Sequence, residues 1–351
     1  MKNLFTSMDN LLKPQLIQGS QINESIAYAR TKSLLIRTSL STFTSIAAFL
    51  SSFFHPYIEK TLILSLSLQS IENIHDFDAI HHDIDTLLTV IASKIPPRLS
   101  LPTLLRCTPN LLAANNPTSI IRYADLLSEV WLNLDRSTVI AQLQELSTIA
   151  TLLLDYRRLY GDQSLVGISV DKAISDAIIE FCLKLTETEL RNFILRLSEW
   201  RDMSDITSSI VIAANNNDDK QDEKWRMHSR AVTFYTVIES LNERLKSIFV
   251  PCMSIVWSNS VEKLNHFISL GSTSTLDVPK ELNKKKNKKR NSGEFLDDSN
   301  RDDLVSEFKE LCYLSGHILN GVKDCCLNDK EGFIDEVCIF RISYICTSMN
   351  V

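Results

Sequence analysis

Between residues 171 and 200 the apolar side chains recur with the period of an α-helix. Ile174, Ala177, Ile178, Phe181, Cys182 and Leu185 stand at i, i+3, i+4, i+7, i+8 and i+11, which places them on one stripe of an amphipathic helix over 171–185. Thr186-Glu187-Thr188-Glu189 follows and reads as a capping box. The Thr186 hydroxyl can satisfy a free N–H of the next helix while Glu189 reaches back. Leu190, Phe193, Ile194, Leu197 and Trp200 then form a second stripe. Beyond the polar loop Asn215–Lys220, a long helix is expected over 223–249 with Phe234, Ile238, Leu241, Leu245, Ile248 and Phe249 facing inward, and Pro251 opens another. The segment 171–270 therefore reads as four helices in two antiparallel hairpins, and it holds no catalytic constellation.

The same grammar runs through the rest of the chain. Only 8 Gly and 9 Pro occur in 351 residues, too few for the turns of a sandwich or barrel, while 44% apolar content suffices to bury a core. Residues 22–37 and 40–54 read as a first helix pair, with Ile46, Phe49, Leu50 and Phe53 as an apolar stripe. His55-Pro56 stops the second of these, and Pro56 can open a helix running to about Ile71. Further helices are expected over 83–94, 118–133 and 137–159, the last with Ile140, Leu143, Leu146, Ala150, Leu153 and Leu154 on one face. Between them Pro96–Pro117 holds five prolines and reads as a compact connector with at most a helical turn. Helix pairs in series, starting near 22, 57, 118, 171 and 224 without a consensus repeat, predict an all-α, irregular HEAT-like α-solenoid, with an irregular helical domain as the alternative.

Charge divides the chain. Formal net charge is −6 although Lys284–Arg290 alone brings six cations, so the remainder carries −12. A broad nucleic-acid-gripping face would be basic, and such a face is not expected here. Residues 271–302 are rich in Ser, Thr, Lys and Asp and poor in apolar groups, so a disordered, charged linker is expected. Within it Lys284, Lys285, Lys286, Lys288, Lys289 and Arg290 form a nuclear-localisation candidate, weighed against a solvated charge run or an RNA tether. Helical pattern resumes at 304–319 and near 333–345. The expected divisions are a helical-repeat region at 1–160, a core of two helix hairpins at 161–270, the linker at 271–302 and C-terminal helices at 303–351. The apolar last helix ends without a polar cap, as a truncated piece or a surface awaiting a partner would.

Residues that invite chemistry have structural readings. His75, Asp76, Asp78, His81, His82 and Asp83 carry metal-ligand groups, but their spacing matches no strong motif, and a polar loop leading into a helix is the expectation. The cysteines (Cys107, Cys182, Cys252, Cys312, Cys325, Cys326, Cys338, Cys346) form no C-x-x-C pair and read as packing thiols in a reducing compartment. Trp200, Trp225, Phe234 and Tyr235 could stack on RNA bases, yet three fall on or beside apolar stripes and read as core. Glu199 with Arg201 and Glu239 with Arg244 read as surface ion pairs. Phosphate-binding, nucleotide-binding, serine-hydrolase and zinc-protease motifs are all lacking, so no enzyme, cofactor, metal or small-molecule substrate is expected. The apolar stretches 46–54 and 62–68 are too short to span a bilayer, and no secretory leader is read at the start.

The order of residues, beyond their periodicity, carries a resemblance. Ile178-Ile179-Glu180-Phe181-Cys182-Leu183-Lys184-Leu185-Thr186-Glu187-Thr188 leads to Phe193 and Arg196-Leu197-Ser198-Glu199-Trp200. Arg230-Ala231-Val232-Thr233-Phe234-Tyr235 and Leu241-Asn242-Glu243-Arg244-Leu245-Lys246-Ser247-Ile248-Phe249 follow. This resembles the C-terminal domain of the HEAT repeat-containing protein 1, or U3 small nucleolar RNA-associated protein 10, family. Ile95–Pro102 upstream and Cys326–Ile334 downstream are similar to the flanks of that domain, so the likeness spans roughly 95–340 and is strongest at 174–250. The resemblance implies a nucleolar, non-enzymatic scaffold of the small-subunit processome that supports rRNA transcription and early pre-18S rRNA processing. Its implied partners are processome proteins and the complex of U3 small nucleolar RNA with pre-rRNA. Family members are several times longer, which implies a fragment or a reduced member. A transport or trafficking adaptor of HEAT/armadillo type, binding peptide cargo, is the alternative.

Overall fold

A computed structural model describes residues 22–68, 76–160, 165–203, 221–256 and 260. Among these the chain is all-α, a helical-repeat architecture without a strand. The helices are α1 (Ile22–Phe49), α2 (Ser51–Phe54), α3 (Ile58–Leu68), α4 (Phe77–Lys94), α5 (Pro97–Ala113) and α6 (Pro117–Asn133). They continue as α7 (Arg136–Ala141), α8 (Leu143–Leu154), α9 (Tyr156–Tyr160), α10 (Leu165–Cys182), α11 (Glu187–Asp202) and α12 (Gln221–Leu245). A 3₁₀ turn, His55–Tyr57, carries Pro56 into α3 as expected. Contacts divide the chain into two units, Met1–Leu153 with Ser164–Lys184, and Leu154–Gln163 with Leu185–Val351.

The first unit is built on a row of helices in which α1 packs on α4, α4 on α6 and α6 on α10, while α3 and α5 pack together and against α6. Tyr123, Ala124, Leu127, Val130 and Trp131 of α6 are buried, as are Ile174, Ala177, Ile178 and Phe181 of α10. The Trp131 and Phe181 rings pack edge to face with their centres 5.1 Å apart, a favoured geometry for two ring quadrupoles. Polar bonds stitch the helices. Ser119 donates to the Leu66 carbonyl at 2.9 Å, and the Tyr123 hydroxyl donates to the Leu104 carbonyl at 2.8 Å.

Several expectations are corrected here. No turn falls at 38–39: Thr38 and Ser39 donate their hydroxyls back to the Leu34 and Leu35 carbonyls and sit inside α1, and the break comes at Leu50 instead, between α1 and α2. Its inward face is Ile36, Leu40, Phe43 and Ala47, whereas Phe49, Leu50 and Phe53 are exposed. The proline-rich connector is the 17-residue helix α5, with Pro97 in the first turn and Pro102 and Pro109 inside. Each interior proline costs about 3 kcal/mol. Four buried leucines, Leu101, Leu104, Leu111 and Leu112, each return about 2 kcal/mol and offset that cost. The helix expected over 83–94 begins at Phe77 instead, after Asp76 in the left-handed region at φ 60°. The helix expected over 137–159 is three helices, interrupted at Gln142 and Asp155, with Val139 buried where Ile140 was expected.

In the second unit α12 packs on both α9 and α11. Leu190, Phe193, Ile194, Leu197 and Trp200 of α11 are all buried, as the sequence stripe requires. Phe234, Ile238, Leu241, Leu245 and Phe249 are buried too, but Ile248 is exposed. Lys246 adopts a left-handed φ of 52°, which ends α12 and turns Ile248 outward. Residues 250–256, opened by Val250 and Pro251, are helical. The loop Asn215–Lys220 and everything from residue 261 onward, including the linker, the basic run and the C-terminal helices, lie outside the described residues.

Candidate functional site

Where the 137–159 periodicity breaks, the second unit acquires its most unusual feature. Asp155 sits in the turn between α8 and α9, and its backbone carbonyl accepts from the Leu159 N–H at 2.9 Å. Its carboxylate receives two guanidinium groups. Arg158 donates through Nε at 3.1 Å and Nη2 at 3.2 Å, and Arg230 of α12 through Nε at 2.8 Å and Nη2 at 3.1 Å. Both contacts are bidentate, a geometry the flat guanidinium provides and a lysine cannot. The third nitrogen of Arg230 donates to the Met203 carbonyl at 2.6 Å, where α11 ends. Arg230 thereby ties the Asp155 turn, the end of α11 and α12 together, 75 residues apart in sequence.

A third guanidinium lies on α11, two residues before Met203. Arg201 holds Asp202 through Nε at 2.9 Å and Nη2 at 2.6 Å, takes Ser198 at 3.0 Å, and stands 4.6 Å from the centre of the Phe234 ring. Arg230 stands 5.5 Å from the Trp200 ring. Arg157, Arg158, Arg201 and Arg230 are all buried. Removing cations from water is costly; for Arg158 and Arg230 the shared Asp155 carboxylate offsets that cost, and for Arg201 the Asp202 carboxylate and the Phe234 ring do. Arg201 and Glu199 therefore do not form the expected surface pair, since Arg201 points inward and uses Asp202.

In the first unit, Lys184 just past α10 does comparable work for a helix end. Its Nζ donates to the carbonyls of Trp131, Leu132 and Leu134 at 2.7, 2.6 and 2.5 Å. These acceptors crowd the C-terminus of α6, where the helix dipole is negative and carbonyls lack intrahelical donors. Partial burial lowers the Lys184 pKa from its ordinary value. In the second unit the capping box is formed as read. Glu189 N–H donates to Thr186 Oγ1 at 3.3 Å, and the Thr186 N–H donates to the Glu189 carboxylate at 2.8 Å.

None of these clusters is arranged for turnover. Guanidinium groups do not exchange protons near neutral pH. Cys107, Cys182 and Cys252 are buried and outside any disulfide, and burial pushes Cys107 up to about 12 and Cys252 up to about 11, so neither of these two is a nucleophilic thiolate. Trp200, Phe234 and Tyr235 are buried and offer no stacking face for RNA; the Trp225 side chain lies outside the described residues. Asp83 is engaged by Arg37 at 2.8 Å and Asp76 by Ser33 at 3.3 Å, so these carboxylates fasten α4 to α1 rather than lining a loop. Among the described residues no three His, Cys, Asp or Glu side chains are placed to share a metal ion, and no helix is long and apolar enough to cross a membrane. The sequence reading missed Asp155, Arg158, Arg230 and Lys184. An acid with arginine three residues on is an ordinary surface pattern, and only the fold brings Arg230 to it.

Comparison with known proteins follows the same stretch. The family model described as the BP28CT (NUC211) domain matches residues 138–334, more than half of the chain. An uncharacterised protein of Arabidopsis thaliana is 25% identical over 259 residues, covering 73% of this chain and 11% of that protein. HEAT repeat-containing protein 1 of Danio rerio is 22% identical over 166 residues, 47% of this chain and 7% of that protein. The chain thus matches about a tenth or less of the length of these relatives. No solved structure matches.

Proposed function

The chain belongs to the BP28CT (NUC211) domain family, and from that premise we propose that it is a non-enzymatic scaffold of nucleolar ribosome biogenesis. The observation that carries this reading is the family match over 138–334, which coincides with the stretch whose residue order resembles the HEAT repeat-containing protein 1 family. The buried arginine node supports it too. Groups that elsewhere would meet substrate are spent here on fixing helix register, as suits a part whose product is a rigid surface.

More finely, the protein acts in the small-subunit processome, in pre-18S rRNA processing with support of rRNA transcription. It binds processome proteins and assembles with U3 small nucleolar RNA and pre-rRNA. Lys284–Arg290 directs it to the nucleus and nucleolus. Depleting the protein should reduce the early cleavages that release the 18S precursor, read on pre-rRNA blots. An unchanged precursor profile with normal 18S levels refutes the processing role. Affinity purification should recover processome proteins, and recovery of transport cargo and coat proteins instead would favour an adaptor. A fluorescent fusion lacking residues 284–290 should lose nuclear accumulation, and retained accumulation removes that assignment.

A further inference from the structure

The family match opens at residue 138, inside α7, so it includes α10 and leaves α6 outside. The packing is divided differently. Residues 164–184 belong to the same compact unit as the chain up to Leu153. Among the described helices α10 packs principally on α6. No other described helix inside the match packs on α10 to a comparable extent.

The sequence of α10 explains why it needs a partner. Val170, Ile174, Ala177, Ile178 and Phe181 form an apolar stripe along its 18 residues, and all five are buried. An isolated helix of that length is marginal in water, so its stability comes from whatever covers the stripe. Helix α6 provides that cover, and the Trp131 and Phe181 rings mark where the two meet, with centres 5.1 Å apart.

Polar contacts cross the same boundary. Lys184 lies inside the match, while the Trp131, Leu132 and Leu134 carbonyls that its Nζ reaches all lie before it. An apolar stripe alone accepts many partners. An ammonium at the unsatisfied carbonyls of a helix end fixes which end of α6 meets which end of α10. Both contacts join C-terminal ends, so the two helices run in the same direction, as corresponding helices of successive repeats do. Helices α9, α11 and α12 differ in this respect. Asp155, Arg158, Met203 and Arg230, which tie them together, all lie within the match.

We propose that the matched domain is not a self-standing module: its α10 is an interaction surface for a helix of the preceding row, here α6, and the two hold their structure as one unit. The partner this surface fits is a parallel helix that ends in an aromatic ring and offers free carbonyls to Lys184. A boundary drawn at residue 138 takes that partner away. The inference does not rest on the ribosome-biogenesis reading, because it concerns which residues make one fold.

The test keeps the full chain. A protease recognition sequence is inserted between Leu134 and Asp135, just after α6, and the purified protein is cut there. The two pieces should co-elute as one species with the amides of α10 still protected from hydrogen exchange. In uncut protein carrying Trp131→Ala with Lys184→Met, the α10 amides should exchange at least about tenfold faster while α11 and α12 keep native rates. Trp131→Phe keeps a ring and should speed α10 exchange by a smaller factor; it decides the matter if the double variant does not fold. Pieces that part with α10 still protected overturn the proposal, as does α10 exchange that is indifferent to these substitutions.

Discussion

In the first unit the Trp131 and Phe181 rings pack edge to face, and polar bonds such as Ser119 to Leu66 run between apolar layers. In the second unit Asp155 takes two guanidinium groups inside, and two more buried arginines lie on the same elements. Apolar packing is non-directional and tolerates repacking at constant volume. A bidentate carboxylate with three helical elements hanging on it permits one register only. The difference teaches that the unit with the weaker apolar pattern, α12 being mixed in character, obtains its uniqueness from directional contacts. Arg230 matters because it reaches both Asp155 and the end of α11.

The sharpest way to break this comparison is Asp155→Ala. It strands Arg158 and Arg230 without their shared carboxylate and should cost about 4 kcal/mol. Peptide-resolved hydrogen exchange should show the loss in α9, α11 and α12 while α6 and α10 keep their protection. Equal loss in both units would erase the distinction. Next in size, Leu127→Ala removes a fully buried side chain of α6. It should cost about 3 kcal/mol in urea melts, with faster exchange in α6 and α10 and little change in α12. A third variant, Lys184→Met, asks how far the first unit also leans on directed contacts. It removes a charged donor from three carbonyls and should cost about 2 kcal/mol, with the loss read at the C-terminal amides of α6. A negligible effect would show that the first unit does not lean on this contact.

The smallest effect concerns Asp135, the N-cap of α7. The Ser137 and Thr138 hydroxyls hold its carboxyl down to about 2, below the ordinary 3.8. A depressed folded-state pKa means that the ionised cap contributes fully above about pH 4 and that the contribution disappears as pH falls through 2. The melting temperature of the native chain should therefore fall more steeply between pH 4 and pH 2 than that of Asp135→Asn, and the two should run parallel above pH 5. Parallel curves throughout would mean that the cap carries no linkage.

Sequence periodicity was most reliable where propensity and burial agree. The stripe Leu190–Trp200 and its Thr186/Glu189 box could be read directly, because the cap and the apolar period point to the same helix start. It misled where local and tertiary demands conflict. Phe49 and Phe53 have helical spacing in the sequence, yet the helix breaks at Leu50 between them, and both are exposed. Ile248 was misplaced for a backbone reason, since a left-handed Lys246 shifts the helical phase and a periodic reading assumes none. The Asp155 node was invisible because its decisive partner lies 75 residues away and arginine is normally a surface residue.

Helix α5 has a consequence for where its own shape comes from. A peptide with prolines at 102 and 109 has little tendency to coil into helix by itself, and a short isolated helix is marginal even without them. Its shape is imposed by α3 on one side and by the Tyr123 and Thr108 hydroxyls meeting at the Leu104 carbonyl on the other. Tyr123 lies 19 residues after Leu104. Helicity in α5 is therefore a property of the packed row: the isolated 97–113 peptide should show little helix, and α3 and α6 together supply what its own sequence lacks.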